Sequence, residues 1–441
     1  MTVDEALAHV LAAISGPTEG EWVHLADALG RVVESPAVST TDLPPWDNSA
    51  MDGYAIRAAD VAGATADAPV RLLVQGDVAA GTDPAGVEVG RGAAARIATG
   101  APIPKGADAV VPVELTTPAD ADGRAVGSQS RELAGPAPAA ILVHAAVLRG
   151  GSIRARANDL RAGETVLESG ATVTPATIAI AAGAGLDGFS VHRRPVVGIM
   201  ATGDELRLPG TELGPAGIPD ANGPALRALV ADAGGDPRSL GIAADRPADV
   251  TARLAAGLAE RPDAIVVSGG VSVGPYDHVR AAFAEFGHVG LWRVAVQPGK
   301  PFAFGTAPRP GGGSPVLLFG LPGNPVSTFV TFELFVRPAL RRLGGHARIT
   351  RPVERGVLTD ETPKSTERRA FVRVRADRDE RGFVRRDEQG RAIVRLAGGV
   401  RGQGSHVLSA LAGAEALASI PAGVAIHPAG GEVELWWLDR T

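Results

Sequence analysis

Apolar residues at Val3, Leu7, Val10, Leu11 and Ile14 recur at spacings of three and four, which predicts an amphipathic helix ended by Gly16–Pro17; a second segment closes at Gly30. From Trp46 to about Gly151 the rhythm changes to short Val, Ile and Leu runs, such as RLLVQGDVAAG and ADAVVPVE, broken by Gly, Pro and Asp. This pattern predicts a β-rich domain. Inside it, the stretch from Thr116 to Ala140 has no apolar periodicity and is expected to be a mobile loop.

A helix is predicted from Thr174 to Gly185, and beyond Pro195 strands and helices alternate. Val196 to Met200, Leu240 to Ile242, Ala264 to Val267 and Val316 to Phe319 read as strands. Between them, Leu226, Leu229, Val230 and Ala233 share a helical face, with Asn222 as the expected N-cap. Further helices are expected from Ala248 to Glu260, from Val279 to Phe286 and from Asn324 to Gly345. This alternation predicts an α/β domain built on a parallel-rich sheet, whose ligands bind beyond the carboxyl ends of the strands. The last hundred residues alternate with period two (RAFVRVRAD, GEVELWWLD) and predict a small barrel-like β domain. The expected division is 1–45 plus 152–190 (helical and linking), 46–151 (β-rich), 191–345 (α/β) and 346–441 (β).

Composition narrows the chemistry. A chain of 441 residues with 45% hydrophobic content is ample for several folded domains. With 43 basic against 49 acidic residues, the net charge of −6 offers no electrostatic footprint for nucleic acid or an anionic membrane. Asp4 and Glu5 stand where a secretory signal would be basic, and no apolar run approaches the ~20 residues of a membrane span, so a cytoplasmic protein is expected. There is no cysteine, and the nine histidines show no metal-ligand spacing, so a thiophilic metal would have to find its sulfur elsewhere.

Three short motifs compete for attention. GAGLDG (Gly183 to Gly188) matches a dinucleotide fingerprint but follows a helix and precedes a strand, the reverse of what that motif needs. GVSVG (Gly270 to Gly274) follows a strand and raises a serine hydrolase with Ser272 as nucleophile, but Pro275 interrupts the helix that should come next. PGKP (Pro298 to Pro301) lacks the rest of a phosphate-binding loop.

More informative are the polar clusters at the strand ends: Thr202, Asp204 and Glu205; Asp220 and Asn222; Ser268, Gly269, Gly270, Ser272 and Gly274; and Pro322, Asn324 and Pro325. The glycines let backbone N–H groups approach an oxyanion, and a helix opening at Asn324–Pro325 presents more of them, making a phosphate cradle. Lys300 fits an anion anchor there. Glu205, Asp245 and Asp277 could hold Mg²⁺ on a phosphoanhydride. Taken singly, Asn222 and Asn324 also fit plain N-caps and the glycines tight turns.

The motifs DLPPWDNSAMDGYAIR, RIATGAPIPKGADAVVPVE, GIMATGDEL, GIPDANGPAL, VVSGGVSVGPYD, QPGKPFAFG and LFGLPGNPVS, in this order, closely resemble the molybdopterin molybdenumtransferases (MoeA and the gephyrin E domain) over nearly the whole chain. The resemblance implies an elongated homodimer whose active site is completed by the partner subunit. It also implies a reaction in which adenylated molybdopterin and molybdate give molybdenum cofactor and AMP with Mg²⁺. The molybdopterin adenylyltransferase and recipient molybdoenzymes are the protein partners it implies. Two other functions stand beside this one: a non-catalytic molybdopterin carrier or scaffold, and the hydrolase using Ser272.

Carried over by position, the resemblance marks Asp52, Thr99, Asp159, Glu205, Asp245 and Asp277 as active-site residues, with Asp277 and Asp245 on the metal, and Pro322 and Pro325 on the pterin-side loop. For molybdate it marks Lys300, Ser405 and either Arg368 or Arg369. The chain departs from the family pattern at Gln297, where some members carry a second lysine, at Ala157–Asn158 and at Pro219, and its Thr116 to Ala140 segment looks expanded. Gln297 leaves the implied anion site one charge short.

Overall fold

A computed structural model of the chain describes residues 1–128, 133, 135–271 and 278–438. Its centre is a six-stranded sheet in the order Asp236–Ala243, Val196–Thr202, Ala264–Ser268, Val316–Leu321, Pro301–Ala307, His288–Arg293. The first four strands are parallel and the last two antiparallel. Successive residues of these strands feed two different cores. Ile199, Val266 and Phe319 face one, with Leu226, Val230 and Val330, while Met200, Val267 and Leu318 face the other, with Val250, Leu254 and Phe283. A strand apolar on both faces loses the period-two signal. This is why the antiparallel edge hairpin was not visible in the sequence: Phe302, Ala303 and Phe304 are all buried.

The helix Val3–Ala12, grouped by sequence with the linking segment, instead joins the first of these cores through Val3, Ala6 and Val10. A capping box opens it: Thr2 Oγ1 accepts from the Glu5 N–H (3.2 Å), and the Thr2 N–H donates to Glu5 Oε2 (2.8 Å). Its apolar stripe packs against the helical run Pro325–Thr331, Phe332–Val336, Arg337–Leu343, whose middle part is a π-turn. Pro338 lies just beyond that turn and has no N–H to give, so the wider turn relieves the ladder where a donor is missing.

Residues 20–38 and 165–192 form a linking unit of two-stranded pairings, Gly20–His24 with Gly188–His192 and Ala37–Val38 with Thr165–Leu167, around Val33, Ala181, Phe189 and Val191. Beyond it lies a second six-stranded sheet, ordered Ala109–Pro112, Gly53–Ile56, Ala93–Ile97, Val70–Val78, Ala140–Val143, Thr116–Ala119. The segment expected to be a loop therefore starts as an edge strand, with Thr116 and Thr117 buried and Thr116 paired to Val143. Threonine's branched side chain suits that place although it adds nothing to an apolar pattern.

Near the C-terminus five strands, Arg369–Ala376, Ala392–Leu396, Val353–Leu358, Gly431–Trp437 and Ala416–Ile420, close on themselves because the last pairs with the first. Val433, Leu435 and Trp437 point inward while Glu432 and Glu434 are exposed, and closure leaves no bare edge. One short strand of the α/β region, Val296–Gln297, pairs with Arg369 and Ala370 and ties the barrel to it. Among the described residues no helix is long and apolar enough to cross a membrane.

Candidate functional site

The loops leaving the parallel strands meet where the sequence predicts a ligand crevice. Gly269 and Gly270 have φ of 98° and 66°, and a Cβ on Gly269 would come within 2.6 Å of the Thr202 carbonyl oxygen. Only glycine fits this turn, because the Thr202 carbonyl already fills the space a side chain would take. Asn222 is 8% exposed and lies inside its helix, so it is not the N-cap expected from sequence. Its Nδ2 donates instead to Ser268 Oγ and to the Gly323 carbonyl, both at 2.7 Å. Asp220 does the capping in its place, where Oδ1 accepts from the N–H of Asn222 (3.0 Å) and of Gly223 (2.9 Å). Ser268 Oγ in turn reaches the Pro322 carbonyl at 3.4 Å, so one amide ties three loops together.

Asn324 does precede the helix starting at Pro325, yet its side chain makes no capping bond. Its Nδ2 donates to Ser405 Oγ at 3.1 Å, and the Val326 N–H donates to the Ser405 carbonyl at 3.2 Å. Ser405 thereby joins the crevice to a cavity of about 720 Å³ between the hairpin and the barrel. Lys300, Lys364, Arg368 and Arg373 line that cavity together with Ser327, Gln403 and Ser405, and among the described residues no carboxylate does. Arg373 is 1% exposed; it donates to the carbonyls of Gly402 (2.6 Å) and Gly404 (3.1 Å), its Nε has no partner among the described residues, and burial pushes its pKa down to about 10. Lys364 is likewise lowered by burial. Four cations with no carboxylate beside them among the described residues give the cavity a positive field that suits an anion.

Of the two arginines left open by sequence, Arg368 lines the cavity and Arg369 does not. Arg369 donates to Ser419 Oγ (2.7 Å) and Glu434 Oε2 (2.6 Å), and its guanidinium lies 5.3 Å from the Phe371 ring centre. A cation so neutralised is a strut of the barrel. Sequence reading missed Lys364 and Arg373; the basic run PKSTERRAFVR was the available signal.

Acidic residues gather beside the crevice. Asp204 Oδ1 accepts the Asp245 N–H at 3.1 Å, and the Asp245 carboxyl is raised by burial first and then by Glu205 and Asp204, with His278 opposing. Among the described residues no three His, Asp or Glu side chains converge on one metal position. Ser272, Gly274 and Asp277 lie outside the described residues.

Two sequence-predicted positions lie elsewhere in the chain. Asp52 opens the strand Gly53–Ile56, and its Oδ1 accepts both the N–H (2.6 Å) and the hydroxyl (2.8 Å) of Thr99, which follows Ala93–Ile97. Asp159 is exposed just before the linking unit's second segment, its N–H donating to the Leu43 carbonyl at 3.0 Å. Among the described residues neither carboxylate bonds to the crevice or the cavity.

The same order of parts is found in known proteins. Residues 1–185 match the MoeA N-terminal region (domain I and II), 198–342 a "Probable molybdopterin binding domain", and 355–438 the MoeA C-terminal region (domain IV). The chain is 38% identical over 425 residues to molybdopterin molybdenumtransferase 2 of Mycobacterium tuberculosis, covering 94% of each. It is 33% identical over 411 residues to molybdopterin molybdenumtransferase of Haemophilus influenzae, covering 93% of this chain and 92% of that one. A crystal structure of the molybdopterin biosynthesis MoeA protein of Pyrococcus horikoshii superposes with a TM-score of 0.73 at 29% identity, covering 99% of both chains. Three regions in family order, and relatives aligned along almost the full length, place this chain in the MoeA family of molybdopterin molybdenumtransferases.

Proposed function

We propose that the chain inserts molybdenum from molybdate into the dithiolene of adenylated molybdopterin and releases AMP. The observation that carries this reading is the acid-free cavity with four cations, joined through Asn324 and Ser405 to a glycine-lined crevice. One receptor suits a tetrahedral oxyanion and the other suits the phosphates of a nucleotide-linked pterin, so the two substrates would meet where the receptors adjoin. The names of the relatives support the same chemistry.

Each part has its own role. The Gly270 N–H would bind a phosphate oxygen, the Gly269 N–H being bonded to the Leu321 carbonyl at 3.0 Å, with Asn222 and Ser268 holding the loops in place. Lys300, Arg368 and Ser405 would bind molybdate. Because the chain has no cysteine, both sulfur ligands must come from the substrate, and the protein need only hold the two anions close and in register. Mg²⁺ fits the acidic side: the Asp245 carboxyl lies near those of Glu205 and Asp204, which raise it after burial does, and this cation is usually held by one or two carboxylates plus substrate phosphates. Asp245 and Glu205 would hold it, and when bound it would offset charge on the phosphoanhydride. Asp52, Thr99 and Asp159 would serve the site of a partner subunit in a homodimer.

The test is chromatographic detection of AMP from purified chain given adenylated molybdopterin and Mg²⁺, with and without molybdate. AMP is expected only with molybdate. Tight pterin binding without any AMP would overturn the reading in favour of a carrier.

A further inference from the structure

Gln297 lines the anion cavity and brings no charge to it, yet it is engaged there. Its Oε1 accepts the Ser365 N–H at 3.0 Å, a bond that a lysine at this position could not make, since an ammonium only donates. That bond fixes the neighbouring Lys364 to the cavity wall. The Lys364 ammonium donates to the carbonyls of Ser365 (2.7 Å) and Val424 (3.2 Å), which orient it without neutralising it, and no carboxylate pairs with it among the described residues. Half-buried and lowered by that burial, it is a cation whose counter-charge the protein does not supply.

The geometry points to Lys364 as the residue that makes the cavity prefer a doubly over a singly charged tetrahedral oxyanion, with Gln297 as the positioning residue that holds it there. This rests on reading the cavity as the molybdate pocket. A full charge fixed by carbonyl acceptors in a partly buried wall interacts in proportion to the charge of the ligand, whereas a neutral hydroxyl donor such as Ser405 distinguishes the two anions less. Gln297 brings no charge itself, but it anchors the segment that carries one.

Calorimetric titration of the full chain with molybdate, and with perrhenate as a singly charged anion of the same shape, tests the assignment. Lys364→Ala should weaken molybdate binding roughly 10- to 100-fold and perrhenate binding much less, collapsing the preference, and Lys364→Arg should restore most of it. Gln297→Leu should raise the KM for molybdate roughly 3- to 10-fold with kcat unchanged, the mark of a lost binding interaction. If Lys364→Ala unfolds, Lys364→Gln is measured in its place. Unchanged affinities and an unchanged molybdate-to-perrhenate ratio in a folded variant would overturn the inference while leaving AMP release by the wild type intact. Failure of the wild type to bind molybdate at all would overturn the underlying reading as well.

Discussion

Arg351 and Arg373 are 5% and 1% exposed, and the regions around them treat the same buried charge in opposite ways. Arg351, beneath the long helical run, donates to both oxygens of Glu333 (2.9 and 3.1 Å) and to Asp232 (2.6 Å), which also takes Arg337 (2.6 Å). Burial acts to lower its pKa, but the two carboxylates outweigh burial and raise it. Arg373, in the cavity wall, has carbonyl partners alone for its side chain among the described residues, and burial lowers it to about 10. In the first region charge is spent within the fold; in the second it is left over for a ligand.

The comparison breaks most visibly at Glu333. Replacing it by leucine leaves Arg351 and Arg337 sharing one carboxylate in a buried place, and denaturant unfolding should show a loss of about 3–5 kcal/mol. A loss below about 1 kcal/mol would erase the contrast. The next effect comes from the same positive surroundings: burial, then Arg341, Arg337 and His192, hold His346 down to about 4 from an ordinary value of 6.5. The unfolded chain takes up this proton as pH falls through 6.5, while the folded chain resists until about 4, so this contribution to stability is complete above 6.5 and is lost across that window. The loss is up to roughly 3 kcal/mol, and His346→Gln should flatten that part of the stability profile.

Smaller still is Arg368→Ala in the cavity, where no pairing is broken: the KM for molybdate should rise about tenfold, with stability changed by no more than about 0.5 kcal/mol. Equal losses of stability and affinity would show that the cavity cations also hold the fold. Asp52→Ala should also be mild for folding, within about 0.5 kcal/mol, because the Thr99 groups it releases are exposed, yet AMP release should fall sharply while the oligomeric state by light scattering stays the same.

Much of this was legible in the sequence where information is local. Apolar runs marked the parallel strands, and Gly269, Gly270, Pro322 and Asn324 announced the crevice by residue type alone. What stayed hidden depends on partners distant in the chain. The stripe Val3–Val10 defined a face but not the helices it meets. Asn222 resembled an N-cap because nothing local revealed Ser268 and Gly323 as its acceptors. Arg368 and Arg369 are neighbours in sequence, and only Glu434 and Ser419, brought in by other barrel strands, separate a strut from a cavity residue. That no acid lines the cavity beside Lys364 among the described residues is likewise not revealed by the sequence around it.

The helix Val3–Ala12 has a consequence for synthesis. It belongs to a core that also contains Phe335 and Leu340, and the Thr18 N–H bonds to the Leu343 carbonyl at 2.8 Å. At about 5–20 residues per second its packing surface leaves the ribosome roughly 15–65 s after the helix does. Throughout that interval Val3, Ala6 and Val10 are uncovered, while the linking unit and the β-rich sheet between them emerge entire and can fold first. Those two units are thus an insertion inside an earlier-started and later-completed α/β core, and a nascent chain arrested before the long helical run would carry an apolar stripe for chaperones to hold.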